Sequence, residues 1–228
     1  MKKMVILTGA GISAESGLKT FRDSGGLWEN YKIEHVATPE AWLKDKNLVL
    51  QFYNERRAQV LAVQPNQAHE ALAKLESKYD LHIITQNVDD LHERAGSSKV
   101  MHLHGEVLKM RSEKNSQQIV GVPNGVISLG DLAPDGGQYR PDIVWFGEEV
   151  PLMESASAIV AQADEVWVIG CSLQVYPAAG LVRHARDHVK VIYIDPNAVK
   201  VNGPNITVIK EKAGSVVPAM VEEYLNNG

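Results

Sequence analysis

A single cysteine, Cys171, stands in a chain of 228 residues. One thiol closes no internal disulfide and cannot build a four-cysteine zinc site. Charge of one sign is also in short supply. The 23 basic and 28 acidic residues give 23 − 28 = −5, so no overall basic field draws the protein to nucleic acid or to an anionic membrane. No apolar run approaches the roughly 20 residues that cross a bilayer. The chain enters an apolar run by Val5, which leaves no room for a signal peptide. Internal repeats and low-complexity tracts are missing as well. Together these absences lead to the expectation of a cytoplasmic enzyme of a reducing compartment.

What is present points to an α/β protein long enough to bury a core. Strand-like runs rich in Val and Ile recur at Met4–Leu7, Leu81–Thr85, Glu165–Ile169, Val189–Ile194 and Ile206–Ile209. They are almost continuously apolar, as strands covered on both faces are. Helical patterns lie between them at Gln67–Lys78, Leu152–Gln162, Ala178–Asp187 and Ser215–Asn226. This alternation predicts a Rossmann-like, doubly wound parallel sheet. Two stretches break it. Residues 18–66 hold no clear strand but a helical segment near 46–63, and residues 107–140 are polar and read as irregular loop or short strands. We expect one domain over 1–228, with the sheet from about 1–17, 67–106 and 141–228. The two insertions, about 18–66 and 107–140, would form a small accessory module.

The first strand runs into Gly9-Ala10-Gly11-Ile12-Ser13-Ala14, which fits the G-x-G-x-x-G/A turn of dinucleotide-binding βα units. Glycine lets backbone N–H groups approach a pyrophosphate, and the following helix N-terminus adds positive dipole there. Further along, Tyr53 and Arg56 are three residues apart, which on a helix puts both on one face. Such a pair can grip a carboxylate, or can simply belong to a solvated helix face. Gln86, Asn87 and Asp89 follow the end of a strand, where open α/β sheets bind ligands, and by residue type they also suit capping of the next helix. His102 and His104 would share a face of a strand, but no further metal ligand of convincing spacing accompanies them. Cys171 has no motif-paired histidine and reads as a small core residue rather than a nucleophile.

These blocks, taken in order, resemble the sirtuins, NAD-dependent protein deacylases. The carriers are GAGIS with ESG, Phe21-Arg22 and Gly26-Leu27-Trp28; Gln86-Asn87-Val88-Asp89-Asp90-Leu91-His92 with Arg94-Ala95-Gly96; His104-Gly105; Pro141 to Pro151; and Gly170-Cys171-Ser172-Leu173 with Pro177. The resemblance implies that NAD is consumed as a co-substrate. It would be held by Gly9, Ala10, Gly11, Ser13, Glu15, Phe21, Arg22, Trp28, Gln86, Asn87 and Asp89. On the adenosine side it would be held by Gly170, Ser172, Asp195 and Ala213. Asp195 stands where the family usually has Asn, and an acid there disfavours a 2′-phosphate, so NAD is expected over NADP. By the same resemblance His104 is the catalytic base, with Asn87 and Asp89 placing the nicotinamide and ribose. A base of that kind suits histidine, whose ordinary pKa lies near neutrality. His92 and His102 are expected to be structural.

Val144, Trp145 and Phe146 would line the acyl-lysine channel and supply backbone partners to an added substrate strand. The Tyr53/Arg56 pair, with Ala14 and Thr20, resembles the subclass that removes succinyl and malonyl groups, in which the pair binds the acyl carboxylate. Many other sirtuins have Asp where Thr20 stands. The chain also departs from the family: the two Cys-x-x-Cys pairs that commonly hold a structural zinc have no counterpart in residues 107–140. No metal is expected, and the module would be held by packing and hydrogen bonds. The expected partners are acylated-lysine proteins or peptides, with no nucleic acid and no membrane. Two further classes share the residues: an NAD hydrolase or ADP-ribosyltransferase on the same fold, and a domain that senses NAD without turnover.

Overall fold

The apolar runs form strands because each can bury both of its faces. In the computed structural model, which describes residues 1–19, 27–28, 31–199 and 205–227, the main sheet has six strands. They are β1 (Lys3–Thr8), β4 (Asp80–Thr85), β5 (Val100–His102), β9 (Glu165–Ile169), β10 (Lys190–Ile194) and β11 (Ile206–Ile209). All pair in parallel, in the order β11-β10-β9-β1-β4-β5. Alternate residues point to opposite faces. Val5, Leu7, Val166, Val168, Val191 and Tyr193 enter one core, with α7 (Met153–Ala161) and the turn at Ala178–His184. Met4, Ile6, Trp167, Ile169, Ile192 and Ile194 enter the other, under α5 (Gln67–Lys74) and α8 (Ala213–Asn227). This is the doubly wound sheet that the alternation predicts. No helix among the described residues is long and apolar enough to cross a membrane.

Two elements differ from expectation. Residues 178–184 form a 3₁₀ helix rather than an α-helix; the span is short, and Gly180 inside it lowers helix propensity. The sixth strand, β5, has three residues, too few to show a period of two.

A third core belongs to the inserted segments. The short pair β2 (Leu27–Trp28) and β3 (Tyr31–Lys32) leads into α2 (Ile33–Val36), α3 (Pro39–Lys44) and α4 (Lys46–Ala62). These face an antiparallel sheet of β6 (Gly105–Ser112), β7 (Ile119–Gly121) and β8 (Tyr139–Ile143). The polar stretch after residue 106 is therefore a sheet, one of the two forms its sequence leaves open, and polar side chains back up its main-chain ladder. The Gln138 amide donates to the carbonyls of Ser128, Asp131 and Tyr139 at 2.9–3.1 Å. The Ser112 hydroxyl donates to the Asp135 carboxylate at 2.8 Å, and Glu113 accepts from the Trp42 indole at 2.9 Å.

The firmest tie is Arg57, which is fully buried. Its Nε donates to the Val107 carbonyl at 2.6 Å, and its Nη1 to Asn54 Oδ1 at 2.7 Å and the Gly125 carbonyl at 3.2 Å. Asn54 in turn pairs with both backbone groups of Ile127. Burial without a carboxylate partner pulls the Arg57 guanidinium down to about 10. Arg57→Met keeps the stem but strands those carbonyls, so we expect a loss of roughly 3 kcal/mol in unfolding free energy, measured by urea titration.

Candidate active site

In a parallel sheet all carboxyl ends share one edge, and the sequence order of these strands reverses between β1 and β9. A crevice for a dinucleotide opens at such a reversal. Here the two strand ends meet main chain to main chain. The Gly9 N–H donates to Ile169 O at 3.1 Å and the Gly11 N–H to Gly170 O at 2.8 Å. A Cβ on Gly11 would lie 2.7 Å from Gly170 Cα, and Gly170 has φ +61, so neither position accepts a side chain. The following helix, α1 (Ala10–Ala14), buries Ser13. The N–H groups of Gly9, Gly11 and Gly170 are spent on main-chain carbonyls, so what the crossing offers a ligand is backbone with no side chain in the way. Glu15, next along, accepts the Gly214 N–H at 2.8 Å and so ties α1 to the start of α8, where Ala213 is buried.

The residues after β4 converge on the same place. The Asn87 Nδ2 donates to the Gly9 carbonyl at 3.2 Å and to the Ser13 hydroxyl at 3.0 Å, while its N–H donates to Thr85 Oγ1 at 3.0 Å. Gln86 Nε2 donates to Cys171 Sγ at 3.0 Å, across to the end of β9. Cys171 is buried, as its reading as a core residue requires. Asp89 accepts the Leu91 N–H at 3.2 Å, so it does cap α6 (Leu91–Arg94) while facing the site. Burial raises the Asp89 carboxyl, against the Leu91 N–H and the Ser13 hydroxyl. On the far side, Ser172 follows β9 and its hydroxyl accepts the Gln174 N–H. Asp195 follows β10, is buried, and accepts the Asn197 N–H at 2.8 Å.

His104 sits in the turn between β5 and β6. Its Nδ1 lies 3.1 Å from the Gln86 carbonyl, an acceptor, so Nδ1 carries the proton and Nε2 is left with its lone pair. Burial lowers its pKa, only partly restored by that carbonyl, which keeps the ring neutral near pH 7. Gly105 must follow it: φ is +79, and a Cβ there would overlap the Asp142 carbonyl on β8. His92 is buried, with Nε2 at 3.1 Å from the Thr8 hydroxyl at the end of β1.

Tyr53 and Arg56 lie on α4, both buried. The Tyr53 hydroxyl accepts the Trp145 indole N–H at 3.1 Å, and the described partner of Arg56 is Gln59 Oε1 at 2.9 Å. Burial pushes the Tyr53 phenol far up, against the charges of Arg140 and Arg56, so it stays a neutral donor. Arg140 and Glu148 are additions that the sequence did not disclose. The Arg140 guanidinium stacks 3.3 Å above the centre of the Trp145 ring and pairs with Glu148 at 2.8 Å, while Glu148 accepts the Trp145 N–H at 2.8 Å. Glu148 stood within the Pro141 to Pro151 block without a role assigned to it, and Arg140 directly precedes that block.

One expectation is corrected. The N–H groups of Val144, Trp145 and Phe146 are spent on His104 O, Glu148 Oε2 and Ala37 O at 2.8–3.0 Å. They are therefore not donors for an added strand. Of these side chains Trp145 is buried and Phe146 is exposed. Phe21, Arg22 and Thr20 lie outside the described residues, as does the side chain of Trp28. Residues 107–140 contain no cysteine and no histidine, the usual ligands of a structural zinc. At the clasp that closes this stretch, Ser112 offers a hydroxyl and Asp135 one carboxylate, with the Lys114 ammonium donating to the Gly136 carbonyl beside them. Zinc takes thiolate and imidazole, and a cation at that place opposes it.

A protein-family model described as the Sir2 family matches residues 9–177. A Helicobacter pylori protein named NAD-dependent protein deacylase is 54% identical over 227 residues, 97% of each chain. A solved Sir2 homologue–NAD complex is 39% identical with a TM-score of 0.86, over 99% of this chain and 90% of that one. A Sir2 mutant with a deacetylated p53 peptide and 3′-O-acetyl ADP-ribose is 30% identical with a TM-score of 0.80, over 97% and 93% of the two chains.

The histidines beneath the site carry a pH dependence. His69 meets His92 edge to face with ring centres 4.8 Å apart, and burial lowers His69 to about 4. A base with a depressed folded pKa is charged more readily when unfolded. Its contribution is therefore present above about pH 6.5 and lost as pH falls toward 4, up to about 3 kcal/mol. His69→Gln is expected to shrink the difference in urea unfolding free energy between pH 7 and pH 5.

Proposed function

The chain belongs to the Sir2 family, and on that premise we propose that it is an NAD-dependent protein deacylase that prefers succinyl- and malonyl-lysine to acetyl-lysine. The observation that carries the deacylase reading is His104. It is a neutral imidazole with its Nδ1 proton fixed on the Gln86 carbonyl, placed next to Asn87 and Asp89 at the glycine crossing. A binding domain needs no such base.

When bound, NAD would supply the acceptor ribose: nicotinamide leaves its anomeric carbon, the acyl group ends on a ribose hydroxyl oxygen, and one water is consumed, giving nicotinamide, O-acyl-ADP-ribose and free lysine. The crossing of Gly9 to Gly11 with Gly170, bare of side chains, would let the diphosphate approach the main chain, although the N–H groups of Gly9, Gly11 and Gly170 are already bonded. Asp195, an acceptor at the end of β10, takes the adenosine ribose hydroxyls. Asn87 cannot swing, since both of its amide protons are held by Gly9 and Ser13, so it orients what binds beside it. Asp89 accepts from the nicotinamide side. His104 Nε2 takes a ribose hydroxyl proton. At the acyl end Tyr53, a neutral phenol, and Arg56, a guanidinium, suit a terminal carboxylate.

The module folds without zinc in this reading, and dialysis against EDTA leaves its melting temperature unchanged; a fall on chelation, restored by zinc, would refute that. Arg56→Met is expected to lower kcat/KM for a succinyl-lysine peptide by about 10- to 100-fold and for the matched acetyl peptide far less. Equal losses would demote Tyr53 and Arg56 to scaffold. Mass spectrometry of products with and without peptide completes the test. O-succinyl-ADP-ribose that vanishes in His104→Ala supports the assignment, whereas free ADP-ribose made without peptide moves the protein to the hydrolase class.

A further inference from the structure

His102 is two residues before His104, and the two rings grip consecutive carbonyls of one segment. His104 Nδ1 meets Gln86 O, and His102 Nδ1 meets Asn87 O at 3.0 Å. The other nitrogen of His102, Nε2, lies 2.7 Å from Glu93 Oε1 on α6. A carbonyl and an ionised carboxylate only accept, so an imidazole between them needs both protons. His102 is thus an imidazolium, with its side chain 7% exposed. Burial alone would lower its pKa, but the Glu93 bond and charge outweigh that and raise it, while Glu93 is held down in return. Its charge also favours the ionised form of Asp89.

We propose that the His102–Glu93 pair is a positioning device for the NAD-cleaving site: it locks the Asn87 main chain and places a fixed positive charge behind Asp89. With this contact every polar backbone group of Asn87 is held, its N–H by Thr85, its carbonyl by His102, and its side-chain amide by Gly9 and Ser13. The same ring lies near Glu106, and the ligand atoms of Glu93, His102 and Glu106 fall within 4.8 Å of one another. A cation there is disfavoured, because the Lys109 ammonium already pairs with Glu106 and the imidazolium already neutralises Glu93. The pair touches no substrate; it acts through Asn87 and Asp89.

The proposal rests on the assignment of Asn87 to NAD cleavage, and the test separates the two. Nicotinamide exchange is measured on the full-length enzyme with NAD and an acyl-lysine peptide, together with melting curves. His102→Phe removes donor and charge. His102→Asn places an amide donor where Nδ1 was. Glu93→Gln keeps a hydrogen bond to a neutral His102 and removes the charge. We expect His102→Phe to lower the exchange kcat by about 10- to 100-fold with peptide KM unchanged, His102→Asn to recover part of it, and Glu93→Gln to lose about 3- to 10-fold. A folded His102→Phe within about twofold of the parent overturns the proposal, as does a kcat loss matched by a KM rise. If His102→Phe does not fold, full exchange in Glu93→Gln overturns it. Exchange retained in Asn87→Ala would instead sink the assignment of the site itself.

Discussion

Six strands running the same way must release their chain at one edge, and every polar group of the candidate site hangs on that constraint. The tightest point is the crossing of two bare backbones, where Gly11 donates to Gly170. It brings the turn after β1 against the turn after β9 with no side chain between them. From there the order follows: Asn87 bonds back to Gly9, Gln86 reaches over to Cys171, and the two histidines of the next turn hold the Gln86 and Asn87 carbonyls. Remove the close approach and the donors lose their common reference. A flat edge would scatter them.

The same edge sorts two chemically alike histidines into different states. His104 meets one acceptor and is half-buried, so it is neutral; His102 meets two acceptors, one of them charged, so it is cationic. His69 and His92, edge to face in the interior, are held neutral, His69 by burial and His92 by burial with His69 and His102 adding to it electrostatically. Environment, not residue type, assigns the proton.

The inserted module solves a different problem. Two loops from distant parts of the chain must stay together, and here polar side chains aimed at main-chain carbonyls do it. Arg57, Asn54 and Gln138 each satisfy two or three backbone groups that would otherwise be buried alone. Such ties give the acyl end its shape as well, since α4 carries Tyr53 and Arg56 on the same helix that Arg57 anchors.

Much of the fold was legible in the residues themselves. Continuous apolar runs with small residues at their ends imposed a parallel sheet, and Gly9, Gly11 and Gly105 stand where no Cβ fits. Asn87, Asp89 and His104 were singled out through the resemblance of their blocks to the sirtuins, since by residue type alone Asn and Asp past a strand end suit helix capping equally well. Tertiary structure decided what no local pattern encodes. Over 107–140 the sequence left loop or short strands open, and only the backbone pairing of β6 with β7 and β8, distant along the chain, decided for a sheet. The stacking of Arg140 on Trp145 and the bond from Tyr53 to Trp145 span large separations in sequence, so no spacing announces them. The amides of Val144 to Phe146 looked available along the sequence and were consumed by His104, Glu148 and Ala37 only once the chain had folded. Local chemistry chose the residues; the meeting of distant backbones chose which of their atoms remain for a substrate.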